Sequence, residues 1–268
     1  MFDLTNKVAL ITGGSGVLGR AMAKGLIDSG AQVAILGRNR KKLDDARSKI
    51  TGKAASVISL EADVLNRKSL EMAKDHLIAS WGRLDILINC AGGNLPGATV
   101  QPNEEFFDLS IDDFDGVTDL NLKGTLLPTI VFGKLIAKQK SGSIINISSM
   151  AADRPLTRVV GYSAAKAAIN NLTQWLAIEM IRKYGPGIRV NAIAPGFFIA
   201  DQNRRLLTNE DGSYTARGNT IIEQTPMRRF GQPEELMSTV VWLCSNSSSF
   251  ITGTIIPVDG GFSAFSGV

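Results

Sequence analysis

Histidine is nearly missing from this 268-residue chain: His76 stands alone. That excludes a histidine-based dehydrogenase and a Ser-His-Asp hydrolase, which both need an imidazole beside the reacting group. Cysteine is almost as scarce, with Cys90 and Cys244 far apart inside apolar segments. Two thiols so placed provide neither a disulfide framework nor a Cys/His metal cluster, and they suit a reduced, cytoplasmic protein. No apolar run approaches 18 residues, so no membrane span is expected. The opening MFDLTNKVALITGG has too short an apolar run, and the wrong flanks, for a signal peptide. The net charge is +4, and the basic residues are spread without a basic tail or interleaved aromatics, which argues against nucleic acid as a partner. Such a balance fits plain solubility, or attraction of a phosphorylated cofactor or an acidic substrate.

What is present is a rhythm. Apolar runs (KVALIT, QVAILG, SVISLEADV, LDILINCAG, SGSIINISS, IRVNAIAPG and a short TGTIIPVDGG) alternate with helix-period segments. The helices are expected over GRAMAKGLIDSG, closed by Gly30, over NRKKLDDARSKI, from Asn66 to Trp81, from Ser110 to Gln139, from Tyr162 to Lys183, and over QPEELMSTVVWLCS. Pro233 opens the last of these, where proline is tolerated. Strands this apolar, separated by helices, predict a parallel sheet covered on both faces: one α/β domain, doubly wound and Rossmann-type, over residues 1–268. Residues 197–230 break the rhythm with Asn, Arg, Asp and Gly, and read as a lid over a ligand site.

The first strand ends in Gly14-Ser15-Gly16-Val17-Leu18-Gly19, a literal G-x-G-x-x-G that opens a helix. This is the context in which backbone approaches a pyrophosphate and a helix N-terminus offers free N–H groups. A plain strand-to-helix turn is the rival reading. YSAAK places Tyr162 and Lys166 four apart, on one face of a helix. A cation there favours the phenolate and predicts a lowered Tyr162 pKa. The stripe Ala165, Ala168, Ile169, Leu172 and Leu176 packs the opposite face of that helix.

Ser149 precedes Tyr162 by thirteen residues; NCAG ends the fourth strand, Asn121 sits in LNLKG, and RVNAIAPG and ITGTIIPVDGG follow. In this order and spacing, over nearly the whole chain, the set resembles the short-chain dehydrogenase/reductase family. The resemblance implies hydride transfer between a nicotinamide cofactor and a carbonyl or secondary alcohol. It implies that Tyr162 is the general acid/base, that Lys166 lowers its pKa and binds the nicotinamide ribose, that Ser149 hydrogen-bonds the carbonyl, and that Asn121 organises a water leading away from Lys166. It places the cofactor on Gly13, Ser15, Gly16, Val17, Leu18, Gly19, Arg38, Asp63, Val64, Asn89, Ala91, Gly92, Tyr162, Lys166, Pro195, Gly196 and Phe198. The loop resembles T-G-x-x-x-G-x-G with Val17 in place of a glycine, which predicts a strained backbone there if the left-handed conformation is needed. Cys90 and Ala200 are further departures, from an Asn and a Thr.

Gly37 stands at the end of the second strand, where an acid would bind the adenosine ribose of NAD, and Arg38 follows it. A guanidinium there suits the 2′-phosphate, so NADP(H) is the expected cofactor, with NAD(H) possible. The insertion NRRLLTNEDGS and the ending GFSAFSGV are similar to the short-chain-type D-mannonate oxidoreductases (fructuronate reductases), which implies a sugar-acid substrate. Asn94, Ser149, Arg154, Tyr162, Asn203 and Arg204 are the candidate substrate contacts, the arginines as a carboxylate clamp. A gluconate 5-dehydrogenase-like or 3-oxoacyl-thioester reductase activity is the alternative, and a non-catalytic dinucleotide-binding regulator a further one. The apolar long helices, 110–139 and 162–183, together with the resemblance, predict a homotetramer.

Overall fold

The computed structural model describes residues 2–50, 57–200 and 203–267. Ser56, at the expected start of the third strand, and residues 201 and 202 of the expected lid lie outside these. Seven strands, β1 (Val8–Thr12), β2 (Gln32–Gly37), β3 (Val57–Glu61), β4 (Ile86–Asn89), β5 (Gly142–Ile147), β6 (Ile188–Pro195) and β7 (Ile255–Val258), form one parallel sheet. Their order is β3-β2-β1-β4-β5-β6-β7. The direction of winding reverses between β1 and β4, and the crevice at that switch point is where open α/β sheets bind ligands.

Side-chain alternation sorts the core to two faces, as a period of two requires. Ala9 and Ile11 of β1 pack with Met22, Leu26, Leu43, Val240 and Leu243. Val8 and Leu10 of the same strand pack with Leu70, Leu77, Phe132, Ile136 and Leu176. The first group belongs to helices α1 (Val17–Asp28), α2 (Arg40–Lys49) and α9 (Met237–Cys244), the second to α3 (Arg67–Trp81), α5 (Gly124–Gln139) and α6 (Val160–Tyr184). Side-chain caps set several starts: Asn39 Oδ1 accepts the Lys42 N–H, and Asn66 Oδ1 the Ser69 N–H.

The helix expected over 110–139 is interrupted by a π turn. It runs as α4 (Ile111–Thr118), a π segment (Asp119–Lys123) and α5. Pro128 lies inside α5 and can donate no hydrogen bond. Threonine hydroxyls satisfy carbonyls along this stretch: Thr125 Oγ1 donates to Asn121 O and Thr129 Oγ1 to Thr125 O, each at 2.8 Å. The stretch Ile111–Gln139 is long and apolar enough to cross a membrane by length and composition, with mean hydropathy 1.2; half of that window is buried inside the fold.

Candidate active site

The β1–α1 loop is built by close backbone approach. Gly13 has φ +65°, and a Cβ there would lie 2.9 Å from Ala91 Cα. A Cβ at Gly19 would lie 2.5 Å from Gly13 O. Thr12 Oγ1 accepts the N–H groups of Cys90 and Ala91, each at 3.1 Å, and closes the switch-point crevice between β1 and β4. Gly16 is the N-cap of α1, is exposed, and places no side chain over the helix end. The first turn of α1 therefore carries amides free to meet an anion, which fits a pyrophosphate. The strain anticipated at Val17 is absent: Val17 is the first helical residue, and the left-handed conformation falls on Gly13. Ser15 lies at the end of β2, with its Oγ 3.5 Å from where a Gly37 Cβ would be. Arg38 beside it is exposed.

Asp63 Oδ1 accepts the Leu65 N–H at 2.9 Å, and Val64 is buried against Gly124. Asn89 is wholly interior. Its Nδ2 donates to Thr129 Oγ1 and Asn146 Oδ1, each at 2.9 Å, and so joins β4 to α5 and β5. Asn121 is buried in the π turn. Its Nδ2 donates to Gly93 O at 2.7 Å and Val117 O at 2.8 Å, while its Oδ1 accepts the Gly93 N–H at 3.2 Å. A Cβ at Gly92 would lie 2.6 Å from Asn121 Oδ1 and 3.4 Å from Lys166 Nζ, so glycine brings the β4 loop onto both residues.

Tyr162 and Lys166 lie on the first turns of α6. Lys166 Nζ is 5.4 Å from the centre of the Tyr162 ring and donates to Ile147 O at 2.7 Å. Ser149, two residues past β5, caps the next turn by accepting the Ala151 N–H, and it also hydrogen-bonds Tyr162. The spacing argument predicts a lowered Tyr162 pKa, and the structure corrects it. Burial pushes the phenol above its ordinary value, with the Ser149 hydrogen bond pulling the other way. The ammonium lies over the ring, and burial pushes it down to about 8. Cys90 is no competing nucleophile, since burial raises its thiol to about 11.

The substrate candidates divide. Arg154 is exposed and donates from Nε and Nη2 to Ser263 O at 3.1 and 2.7 Å, anchoring the tail of the chain. Asn203 closes a local turn, accepting the Ala200 N–H at 2.8 Å and donating to Phe198 O at 2.9 Å. Arg204, at the start of the short helix α7 (Arg204–Leu207), is exposed. Asn94 Nδ2 donates to Thr99 Oγ1 at 2.6 Å, while its Oδ1 is buried with no partner among the described residues. After β6, Gly196 donates its N–H to Val258 O, and Phe198 bridges to Gly231 and is buried. A cavity of about 350 Å³ lies there, lined by Phe197, Thr225, Arg229, Glu235 and Asp259 among others. Neither it nor a second one of about 400 Å³, beside Arg154 and Ser263, is lined by Tyr162 or Lys166. The spacing did not single out Arg217, which lies in α8 (Ala216–Glu223) and senses the charge of Arg158.

A family model described as enoyl-(acyl carrier protein) reductase matches residues 15–263. The chain belongs to the short-chain dehydrogenase/reductase family. UxuB of Bacillus subtilis (strain 168), an oxidoreductase of uncharacterized activity, is 48% identical over 99% of this chain and 98% of its own length. A 2-dehydro-3-deoxy-D-gluconate 5-dehydrogenase of Dickeya dadantii is 33% identical over 98% of each chain. Among solved structures, one from Haemophilus influenza, provisionally assigned as a D-mannonate oxidoreductase and holding NAD, matches with a TM-score of 0.90. It is 43% identical and covers 99% of this chain and 98% of that one. This short-chain dehydrogenase/reductase is thus an oxidoreductase acting on CH–OH groups.

Proposed function

We propose that the protein interconverts a sugar-acid ketone and its secondary alcohol, D-fructuronate and D-mannonate being the best-fitting pair. The observation that carries the reading is the Ser149–Tyr162–Lys166 group at the carboxyl edge of the sheet, beside the β4 loop. When bound, a reduced nicotinamide supplies the hydride that the carbonyl carbon accepts. Ser149 hydrogen-bonds the carbonyl oxygen, and Tyr162 donates its hydroxyl proton to that oxygen as the alcohol forms. A phenol held protonated by burial is the form this direction needs. Lys166, held by its hydrogen bond to Ile147 O and lying over the Tyr162 ring, positions that ring and offers a donor to a ribose. Gly13, Gly16, Gly19, Asp63, Ala91, Gly92, Pro195 and Gly196 are the residues proposed to hold the dinucleotide.

The exposed Arg38 beside Gly37 supports NADP(H). NAD(H) is the second reading, favoured by the NAD bound in the Haemophilus structure. The long helices leave Ile111, Ile130, Trp175 and Ile178 exposed, which supports a homotetramer whose subunits cover them. One experiment tests the reading. D-fructuronate, 5-ketogluconate, D-fructose and a 3-oxoacyl thioester are offered with NADPH and with NADH, following reduced-nicotinamide absorbance. Reduction of D-fructuronate ahead of the others is expected; preference for the thioester contradicts the sugar-acid reading, and preference for NADH contradicts the role of Arg38.

A further inference from the structure

The last residue of β5 and the two after it each meet α6. Ile147 O accepts from Lys166 Nζ at 2.7 Å, and Ser149 hydrogen-bonds Tyr162. Between them, the Ser148 hydroxyl donates to Asn170 Oδ1 at 2.5 Å. Tyr162, Lys166 and Asn170 stand at i, i+4 and i+8 and form one ridge of the helix. Asn170 thus continues the row that carries the reacting pair, although its hydrogen bonds go to neither Ser149 nor Tyr162. Ser148 is buried, and among the described residues the one other acceptor its hydroxyl meets is Lys166 O, at 3.4 Å.

The other end of the Asn170 amide is used as well. Its Nδ2 donates to Asp153 Oδ1 at 3.3 Å. A carboxylate only accepts, so the amide nitrogen faces Asp153 and the oxygen is left for Ser148. Asp153 lies on the turn that Ser149 opens. The Ala151 and Ala152 N–H groups donate to Ser149 Oγ and O, each at 3.1 Å, and those of Asp153 and Arg154 donate to Met150 O at 3.3 and 3.0 Å. One amide therefore holds the residue before Ser149 and the turn after it. The far end of the same loop is held by backbone. Arg158 has a φ of +78°, a strained conformation for a residue with a side chain, and its O accepts the Val100 N–H at 3.0 Å.

We propose that Asn170 is a positioning residue for the reaction: it clamps both flanks of Ser149 to the helix that carries Tyr162, and so sets the serine hydroxyl against the phenol. This rests on Ser149 and Tyr162 being the reacting pair, whichever ketone they serve. A displacement of about 1 Å at a reacting group can lower the rate about a hundredfold. Ground-state binding of the ketone is not what the clamp controls, so the loss belongs to kcat rather than KM.

Asn170→Ala, Asn170→Asp, Asp153→Asn and the double change Asn170→Asp with Asp153→Asn are compared with the parent on whichever of the four ketones above it reduces fastest. Amide exchange at Ala151 and Ala152 is followed alongside. In Asn170→Ala, kcat is expected to fall about tenfold to a hundredfold with KM within about threefold. Exchange at the two amides is expected to quicken about tenfold while that of β1 stays as in the parent. Asn170→Asp keeps an acceptor for Ser148 but sets a second carboxylate against Asp153, and kcat is expected to fall about tenfold. Asp153→Asn alone leaves two amides that can still pair, and kcat is expected to fall less than about threefold. In the double change the new carboxylate again has an amide donor, with the partners exchanged, and kcat is expected to return to within about threefold of the parent. A residue that only fills space would show no such rescue. A double variant no faster than Asn170→Asp overturns the proposal, as does a raised KM with unchanged kcat, or parent-like exchange in Asn170→Ala. Should the alanine variant fail to fold, the exchanged pair decides. If the parent reduces none of the four ketones, the functional reading fails by itself; faster exchange in Asn170→Ala then upholds the clamp and parent-like exchange overturns it.

Discussion

The β1–α1 loop and the 197–230 segment both stand at the carboxyl edge of the sheet, and they are held in opposite ways. The loop is held by backbone against backbone: Gly13 and Gly19 leave less than 3 Å for a Cβ. The segment is held by side chains. Leu207, Ile221 and Phe230 form a small core of their own with Phe197, Ile199 and Ile222, apart from the two sheet cores. Tyr214 meets Phe230 edge-on with ring centres 5.2 Å apart, and Thr208 bridges to Tyr214. The difference implies a division of labour. The loop has little slack in its backbone, whereas the segment can change exposed side chains without disturbing the two sheet cores.

Substitutions in the two regions put that contrast at risk. The largest effect is expected from Gly19→Ala, whose new Cβ would be driven into Gly13 O; unfolding in urea is expected to show a loss of about 2–3 kcal/mol with weakened dinucleotide affinity. Phe230→Ala would cost about 3–5 kcal/mol in a shared core, but less than about 1 kcal/mol in a satellite that opens locally. Its expected signature is a raised KM for the ketone and faster amide exchange over α8, with a nearly constant melting temperature. A global loss would merge the two regions and end the contrast. Val17→Gly is expected to be the mildest, at about 0.2–0.4 kcal/mol by helix propensity alone, because Val17 is helical. A gain in stability on that change would restore the strained-loop reading.

Much of this was legible in the residues. Alternating apolar runs and helix periods foretell a parallel sheet, because strands covered on both faces cannot show a polar side. The four-residue spacing of Tyr162 and Lys166 places them together by helix geometry. The π turn at Asp119–Lys123 was not legible, since glycines and a proline mark irregularity without stating its form. Nor was the tail anchor at Arg154, whose partner is a backbone carbonyl 109 residues away and leaves no trace in side-chain pattern. The spacing of Tyr162 and Lys166 foretold their neighbourhood but not its electrostatics. An i,i+4 pair says that two side chains are adjacent, not that the ammonium turns toward Ile147 O or that burial outweighs it. The strain at Arg158 is a backbone angle, invisible in an arginine's identity.

The proton-donor role of Tyr162 is tested most directly by Tyr162→Phe, with ketone reduction and dinucleotide affinity measured on one preparation. Removing a general acid is expected to lower kcat by about 10²–10⁴-fold while the dinucleotide dissociation constant changes by less than about threefold. An unchanged kcat, with the dinucleotide still bound, would contradict the account.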